Sequence, residues 1–279
     1  MIVQITMTRN ELFLIKEMMP LWKKYADAFV FLDDRSTDGT YEYLLENKEK
    51  YNILSVLKTN RDETHLDMES TERQKIYDEA LKHSGKIICL DTDEYLDGMI
   101  DKPQLEEILE QNKDILIHLP WIQYVNENEI RIDGKWKSSI CDRVGSYSKR
   151  ATFMTSQMHS EHIPNPGRLA SINVPHLFVA HLQWLDKKTV AVKQYYWKIV
   201  DYTNTHLYGV QTTPPSAYDG SVNNFDWERV SFDFPLKARQ NIYNDHNIEE
   251  SYKFQFIKES IKKYNIPNLN DWGMNIHIM

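Results

Sequence analysis

The sequence is poor in the features that mark secreted, disulfide-linked or membrane-embedded chains. Of its 279 residues only Cys89 and Cys141 are cysteines, which excludes a disulfide framework and a cysteine-rich zinc site and favours a reducing compartment. The first residues, MIVQITMTRNE, lack the basic region and long apolar run of a signal peptide. No run of about 18 apolar residues occurs, which predicts no membrane-spanning helix. We therefore expect a cytoplasmic protein, with peripheral contact to a membrane left open.

Positive charge is also in short supply. The 33 Lys and Arg residues are outnumbered by 41 Asp and Glu residues, which gives a net charge of -8. Because nucleic-acid backbones select basic surfaces, this balance argues against nucleic acid as a partner. Apolar residues, by contrast, make up 41% of the chain, enough for the core of one large domain.

Short apolar runs alternate with helical segments through the first half of the chain. We predict strands at 2–5, 29–32, 53–57, 87–90 and 115–119. We predict helices at 11–25, with Asn10 as its N-cap, and at 40–47, 69–81 and 103–111. This alternation predicts an α/β fold with a mostly parallel sheet flanked by helices.

The second half of the chain changes character. Its patterns predict strands at 144–154 and 169–180, helices at 186–200 and 249–264, and a loop-rich stretch at 206–235. We therefore expect a mixed second half and a helical C-terminal tail.

An acidic motif follows the second predicted strand. Asp33 and Asp34 open the run Asp-Asp-Arg-Ser-Thr-Asp-Gly-Thr, which ends at Thr40. In open α/β sheets, ligands bind beyond the carboxyl ends of the strands, where carboxylates can accept hydrogen bonds from a base or a ribose. The Ser-Thr-Asp-Gly segment is typical of a tight turn that caps the next helix, and an ordinary turn and cap is the alternative interpretation.

A second acidic motif, Asp91-Thr92-Asp93-Glu94, follows the buried-looking strand Ile-Ile-Cys-Leu. Two carboxylates separated by one residue at a strand end can converge on Mg²⁺ or Mn²⁺. Such an ion would bridge a diphosphate and neutralise it as it leaves. The alternative is a solvated acidic loop.

The order of these motifs resembles a known family. Thr8-Arg9-Asn10-Glu11 after the first strand, the Asp33 motif and Leu90-Asp91-Thr92-Asp93-Glu94 are together similar to the family 2 type glycosyltransferases of GT-A fold, in the subgroup with a Leu-Asp-x-Asp-Glu motif. The resemblance implies a GT-A-like α/β fold with a UDP-, GDP- or dTDP-sugar donor. It also implies inverting transfer to a hydroxyl of a glycan acceptor, with Mn²⁺ or Mg²⁺ as cofactor.

The resemblance also implies an organisation of the chain and of its site. We expect a transferase domain at 1–205, with a nucleotide-binding half at 1–100 and an acceptor half at 101–205, and an extension at 206–279 packed on it. Asp91, Asp93 and His181 are the implied metal ligands. The residues expected to bind the nucleotide sugar are Thr8, Arg9, Asn10, Glu11, Asp33, Asp34, Arg35, Arg73, Asp91, Thr92 and Lys193.

A general base is sought in Met158-His159-Ser160-Glu161-His162, because similar transferases carry a His-Glu element after the metal motif. Here the pattern is His-x-Glu-His, so Glu161, His159 and His162 all stay open. We favour Glu161, with His159 second. The alternative is a surface loop with chance histidines.

Other functions are open at this point. Asp91 and Asp93 also resemble the nucleophile motif of haloacid-dehalogenase-like phosphatases, although Tyr95 stands where Thr or Val is usual and three strands precede the motif. A sugar nucleotidyltransferase is rejected because no glycine-rich loop follows the first strand. A catalytically inactive carbohydrate-binding protein is the non-enzyme alternative.

Overall fold

A computed structural model describes residues 1–59, 69–154, 161–165, 169–208 and 227–264 of the chain. The first strands and helices alternate as β1 (Val3–Thr8), α1 (Leu12–Trp22), β2 (Ala28–Asp33), α2 (Thr40–Glu46), α3 (Lys48–Tyr51), β3 (Ile53–Lys58), α4 (Glu69–Leu81), β4 (Lys86–Cys89), β5 (Glu94–Gly98) and α5 (Lys102–Gln111). There follow β6 (Ile115–Gln123), β7 (Glu129–Arg131), β8 (Ile140–Ser146), β9 (Ala170–Asn173), β10 (Leu177–His181), α6 (Lys187–Tyr208), β11 (Arg229–Ser231) and α7 (Tyr252–Tyr264).

One large sheet organises the molecule. Its strand order is β3-β2-β1-β4-β8-β6-β10-β5, with β9 paired to β6. The strands β3, β2, β1 and β4 run parallel, whereas β8 is antiparallel to both neighbours and β5 is antiparallel to β10. The predicted α/β fold, with a sheet flanked by helices and a mixed second half, is confirmed.

Helices cover both faces of the parallel half, which explains its continuous apolar strands. In β2, Ala28, Val30 and Leu32 pack with α4 on one face. Phe29 and Phe31 point to the other face and join α1 and α5 in the main core. The buried indole of Trp22, on α1, donates a hydrogen bond to the Glu94 carbonyl at 2.7 Å and so ties that helix to β5.

Several predicted elements need correction. The strand predicted at 144–154 covers Ile140–Ser146 instead, and the strand β5 at Glu94–Gly98 was missed. The strand predicted at 169–180 is broken into β9 and β10, because Pro175 has no N–H to donate and His176 adopts a left-handed φ of 61°. Both pieces still pair with β6 along the same side.

The C-terminal part of the described chain forms a small layer of its own. Helix α7 packs on α6, with Ile257 fully buried between them. It begins at Tyr252 rather than at 249, because residues 248–250 form a 3₁₀ turn. No helix in the described ranges is long and apolar enough to cross a membrane.

Two glycines allow a test of this fold. Gly98 ends β5 at a φ of +143°, and a Cβ there would lie 2.0 Å from the His176 carbonyl oxygen. Gly98→Ala should therefore lower the free energy of unfolding by about 3 kcal/mol or more. Gly134→Ala is the control, because its φ is +52° and no described atom lies within 4 Å of the added Cβ.

The control should cost about 1 kcal/mol, the price of a left-handed conformation alone. Urea unfolding of both variants measures the difference. Equal losses would contradict the close approach of β5 to the turn before β10.

Candidate functional site

The predicted motifs meet at one edge of the sheet. Because β1, β2 and β4 are parallel neighbours, the loops that follow them lie side by side. The chain leaves β1 towards β2 on one side, while β4 lies on the other, so the crevice between β1 and β4 is the place where α/β sheets bind ligands. Thr92 spans this crevice by donating from its hydroxyl to Glu11 Oε2 at 2.7 Å.

The loops after β1 and β2 hold each other in place. Asn10 was predicted to cap α1, but its side-chain oxygen instead accepts a hydrogen bond from the Thr37 amide at 2.6 Å. The Leu12 amide at the start of α1 is satisfied by Asp38 Oδ2 at 3.0 Å. Asp38 Oδ1 accepts from the Thr40 amide, so one carboxylate caps both α1 and α2. The two loops therefore form a single rigid unit.

Three polar atoms in these loops have no partner in the part of the chain that the structure describes. They are Arg9 Nε, Asp33 Oδ1 and Arg35 Nη1. The other oxygen of Asp33 accepts from the Ser36 amide at 3.1 Å, and burial raises the pKa of Asp33 despite the opposing effect of Ser36 and Lys58. Buried polar atoms are seldom left unsatisfied, so this group needs an outside partner. Asp34 is engaged between the two arginines, 2.9 Å from Arg35 Nε and 3.7 Å from Arg9 Nη1.

The carboxylate of Asp91 faces two arginines and a histidine. Its oxygens lie 3.1 Å from His162 Nε2, 3.8 Å from Arg73 Nη2 and 4.0 Å from Arg143 Nη2. Burial alone would raise the pKa of Asp91, but His162, Arg143 and Arg73 hold it well below its usual range. Burial and the two arginines lower the pKa of His162, which keeps its ring neutral near pH 7. Arg73, predicted to bind the donor, thus lies beside Asp91.

Asp93 faces a lysine and a histidine. Its Oδ2 accepts from Lys193 Nζ at 3.0 Å and lies 3.4 Å from His181 Nε2. Gln123 Oε1 accepts from Trp184 Nε1 at 2.8 Å, and since an indole N–H only donates, the same oxygen must accept from His181 Nδ1 at 2.6 Å. With Nδ1–H donating to Gln123, His181 Nε2 is the ring nitrogen that faces the Asp93 carboxylate. Burial would raise the pKa of Asp93, but Lys193 and His181 hold it well below its usual range.

Asp93 Oδ2 and His181 Nε2 suit a divalent ion as a pair of ligands. The two atoms lie 3.4 Å apart, where they could ligate one ion in place of a shared proton, and a metal-binding histidine commonly donates its second N–H as His181 does. Asp91, the third predicted ligand, contacts His162 instead. Within the described ranges no group of three or more His, Cys, Asp or Glu side chains could hold a metal. The fit therefore requires further ligands from a bound anion, as is usual for Mg²⁺.

The three candidate bases differ in their position relative to the second acidic motif. His162 reaches Asp91, whereas Glu161 Oε2 accepts a hydrogen bond from the Asn165 amide at 3.2 Å. His159 lies outside the described residues. The contact of His162 was missed because a sequence motif does not say which of its neighbouring side chains turns inward.

A buried ion pair supports the second acidic motif from below. Arg143, on β8, donates to both oxygens of Glu94 at 2.8 and 2.7 Å, and Glu94 is completely buried. Sequence reasoning gave neither residue a role. The available signal was an arginine within the strand pattern of β8, since a charged residue in a covered strand requires a buried partner.

An open cleft lies beside these residues. Glu11 from the loop after β1 contributes to its walls, as do Asp93 and Lys193. A further wall comes from the C-terminal segment, through Tyr243, His246, Ile248, Ser251, Tyr252 and Lys253.

The Arg143–Glu94 pair can be tested against an exposed pair of the same geometry. Arg143→Met should lower the free energy of unfolding by about 3–5 kcal/mol, because it leaves a buried carboxylate uncompensated. Arg150 makes an equally short two-pronged contact with Asp78 at the surface, so Arg150→Met should cost less than about 1 kcal/mol. Denaturant unfolding of both variants measures the difference, and equal losses would contradict the structural role of the buried pair.

Comparison with known proteins gives distant similarities only. No protein-family model matches the chain, and no curated protein matches it significantly. Among solved structures, residues 1–349 of S. aureus TarS in complex with UDP share 15% identity, with 74% of this chain and 72% of that chain covered and a TM-score of 0.41. The mannosyltransferase PcManGT from Pyrobaculum calidifontis, in complex with GDP-Man and Mn²⁺, shares 11% identity over 96% of this chain and 75% of that one, with a TM-score of 0.38.

The mannosyltransferase Ktr4p from S. cerevisiae shares 13% identity over 48% of this chain and 42% of that chain, with a TM-score of 0.29. At these values the similarity does not carry over what those proteins bind. A functional assignment has to stand on the residues of this chain.

Proposed function

We propose that the protein is a glycosyltransferase of the family 2 type with a GT-A-like fold, which moves a sugar from a nucleotide-sugar donor to a hydroxyl of a glycan acceptor. The observation that carries the proposal is the set of unpartnered polar atoms on Arg9, Asp33 and Arg35. They lie at the carboxyl ends of β1 and β2, beside the crevice between β1 and β4, where a nucleotide would supply the missing partners.

The nucleoside would occupy the loops after β1 and β2. The free oxygen of Asp33 is an acceptor suited to a base N–H or a ribose hydroxyl, and the free nitrogens of the two arginines are donors suited to carbonyl or hydroxyl oxygens. Thr8, Asn10 and Glu11 belong to the same rigid unit.

The diphosphate would lie over the second acidic motif. Asp93 and His181 would hold a divalent ion there, and such an ion, when bound, neutralises the charge of the departing diphosphate. Lys193 is paired with Asp93 and can turn its ammonium to a phosphate oxygen as a point charge. Arg73 and Arg143 keep Asp91 ionised and add positive potential under the leaving group.

Transfer itself needs a base on the acceptor side. We assign Glu161 this role, by direct removal of the acceptor proton, and single displacement would then invert the anomeric centre. The transition state would be oxocarbenium-like, as in glycoside hydrolysis. His162 is the competing assignment, because it is neutral and touches Asp91.

Calorimetric titration tests the donor site. UDP, GDP, CMP and dTDP are titrated with and without Mn²⁺, and one of them should bind in a Mn²⁺-dependent way. Asp93→Ala should weaken that binding more than about tenfold, because it removes half of the protein's ligand pair. Asp78→Ala, on the distant face of α4, is the matched control and should bind as the wild type does.

The opposite result has a clear meaning. If none of the four nucleotides binds the wild type, the transferase proposal fails, and a phosphatase screen would then examine Asp91 and Asp93 in their alternative role.

The assignment of the base is tested by measuring transfer from the sugar donor of the nucleotide that binds, together with the same titration. Glu161→Gln should keep the dissociation constant of the nucleotide and lower the transfer rate by about 10²–10⁴-fold, because the amide cannot accept the proton. His162→Asn is the comparison. Normal transfer by Glu161→Gln together with loss in His162→Asn, at unchanged nucleotide affinity, would move the role of base to His162.

A further inference from the structure

We propose that the C-terminal segment completes the donor site, with Lys253 as a ligand of the nucleoside diphosphate and Tyr252 as the residue that positions Arg9. This inference rests on the proposed function and extends it to a part of the chain to which the sequence motifs assign nothing. The two residues lie at the start of α7, more than two hundred positions from the loop after β1 that they contact.

Tyr252 lies against the nucleoside end of the site. The guanidinium carbon of Arg9 lies 4.3 Å from the centroid of the Tyr252 ring, which is within the range of a favourable cation–π contact. The same guanidinium reaches Asp34 at 3.7 Å and keeps an unpartnered Nε. The ring therefore fixes an arginine whose free donor belongs to the set that the proposed nucleotide would satisfy.

Lys253 lies at the diphosphate end. Its ammonium is 3.4 Å from Glu11 Oε1, while the other oxygen of Glu11 accepts from Thr92 in the second acidic motif. Lys253 and Lys193 line the same cleft, so two ammonium groups face one open space. An ammonium group has three donors, and the single long contact with Glu11 leaves capacity for phosphate oxygens.

A diphosphate is the ligand that this arrangement fits. Two ammonium groups from different elements face one cleft, and each is balanced by a carboxylate of its own, Lys193 by Asp93 and Lys253 by Glu11. A bound anion bearing two or more charges would relieve the repulsion between the lysines and could bridge them. The two phosphoryl groups of a nucleoside diphosphate meet this requirement.

The segment is anchored on both sides of the cleft, so its side chains are held in place before a ligand binds. His246 stacks on Phe13 of α1 with ring centroids 4.6 Å apart. Tyr196 of α6 packs edge-on against both Tyr252 and Phe256, at 5.7 and 5.2 Å. Preorganisation of this kind reduces the entropic cost of binding.

Titration of the full chain with two probes separates the roles. Lys253→Met should weaken UDP and GDP, whichever binds, and inorganic pyrophosphate alike, each by about tenfold or more, because a charge-assisted hydrogen bond is lost. Tyr252→Ala should weaken the nucleotide by about fivefold and leave pyrophosphate unchanged. Tyr252→Phe keeps the ring and should bind as the wild type does, which assigns the effect to the ring rather than to the hydroxyl.

Matched controls come from the same helix. Lys262→Met removes an exposed lysine of α7, and Phe256→Ala removes a ring packed on the same Tyr196 but away from Arg9. Both should retain wild-type affinity for either probe.

The outcomes separate the two proposals. Nucleotide binding that is unchanged in Lys253→Met and Tyr252→Ala would overturn the inference and leave the donor site standing. Pyrophosphate binding that depends on Lys253, without binding of any nucleotide, would support the anion site and overturn the proposed function. Absence of binding by both probes would overturn both.

Discussion

The buried pair between Arg143 and Glu94 is the contact on which the rest of the site depends. It joins β8 to the first residue of β5 beneath the second acidic motif, where an unpaired charge would be prohibitively costly. Because Glu94 is fixed, the short turn that carries Asp91 and Asp93 is held between β4 and β5. The same guanidinium lies 4.0 Å from Asp91 and so adds to the potential of the exposed side of the motif.

Around this pair the charges are divided between structure and ligand binding. The carboxylate of Glu94 is bound by Arg143, and the carboxylate of Asp38 accepts from the amides at the starts of α1 and α2. Asp33 keeps a buried oxygen free of partners among the described residues, and the Asp93 carboxylate lies between Lys193 and His181. Buried charged groups in a crevice are candidates for ligand contact, and both of these lie at strand ends.

Features set by interactions between residues close in sequence were predicted, whereas contacts between distant residues were not. The helix predicted at 69–81 has those bounds in the structure, since its pattern and its stop at Ser84-Gly85 are local. The short strand β5 was missed, because a five-residue strand next to an acidic motif gives little periodic signal. The break between β9 and β10 was also missed. Nor did any motif bring Tyr252 to Arg9, a contact that needs the whole second half of the chain to fold back.

The sequence by itself determined the alternation of strands and helices, the parallel half of the sheet and the position of two acidic motifs at strand ends. These follow from apolar periodicity and turn chemistry, which act over a few residues. Only the tertiary structure decided which charges are paired. Asp91 meets His162, Asp93 meets Lys193 and Glu11 meets Lys253, because burial forces distant charged groups to compensate each other and sequence spacing does not record that requirement.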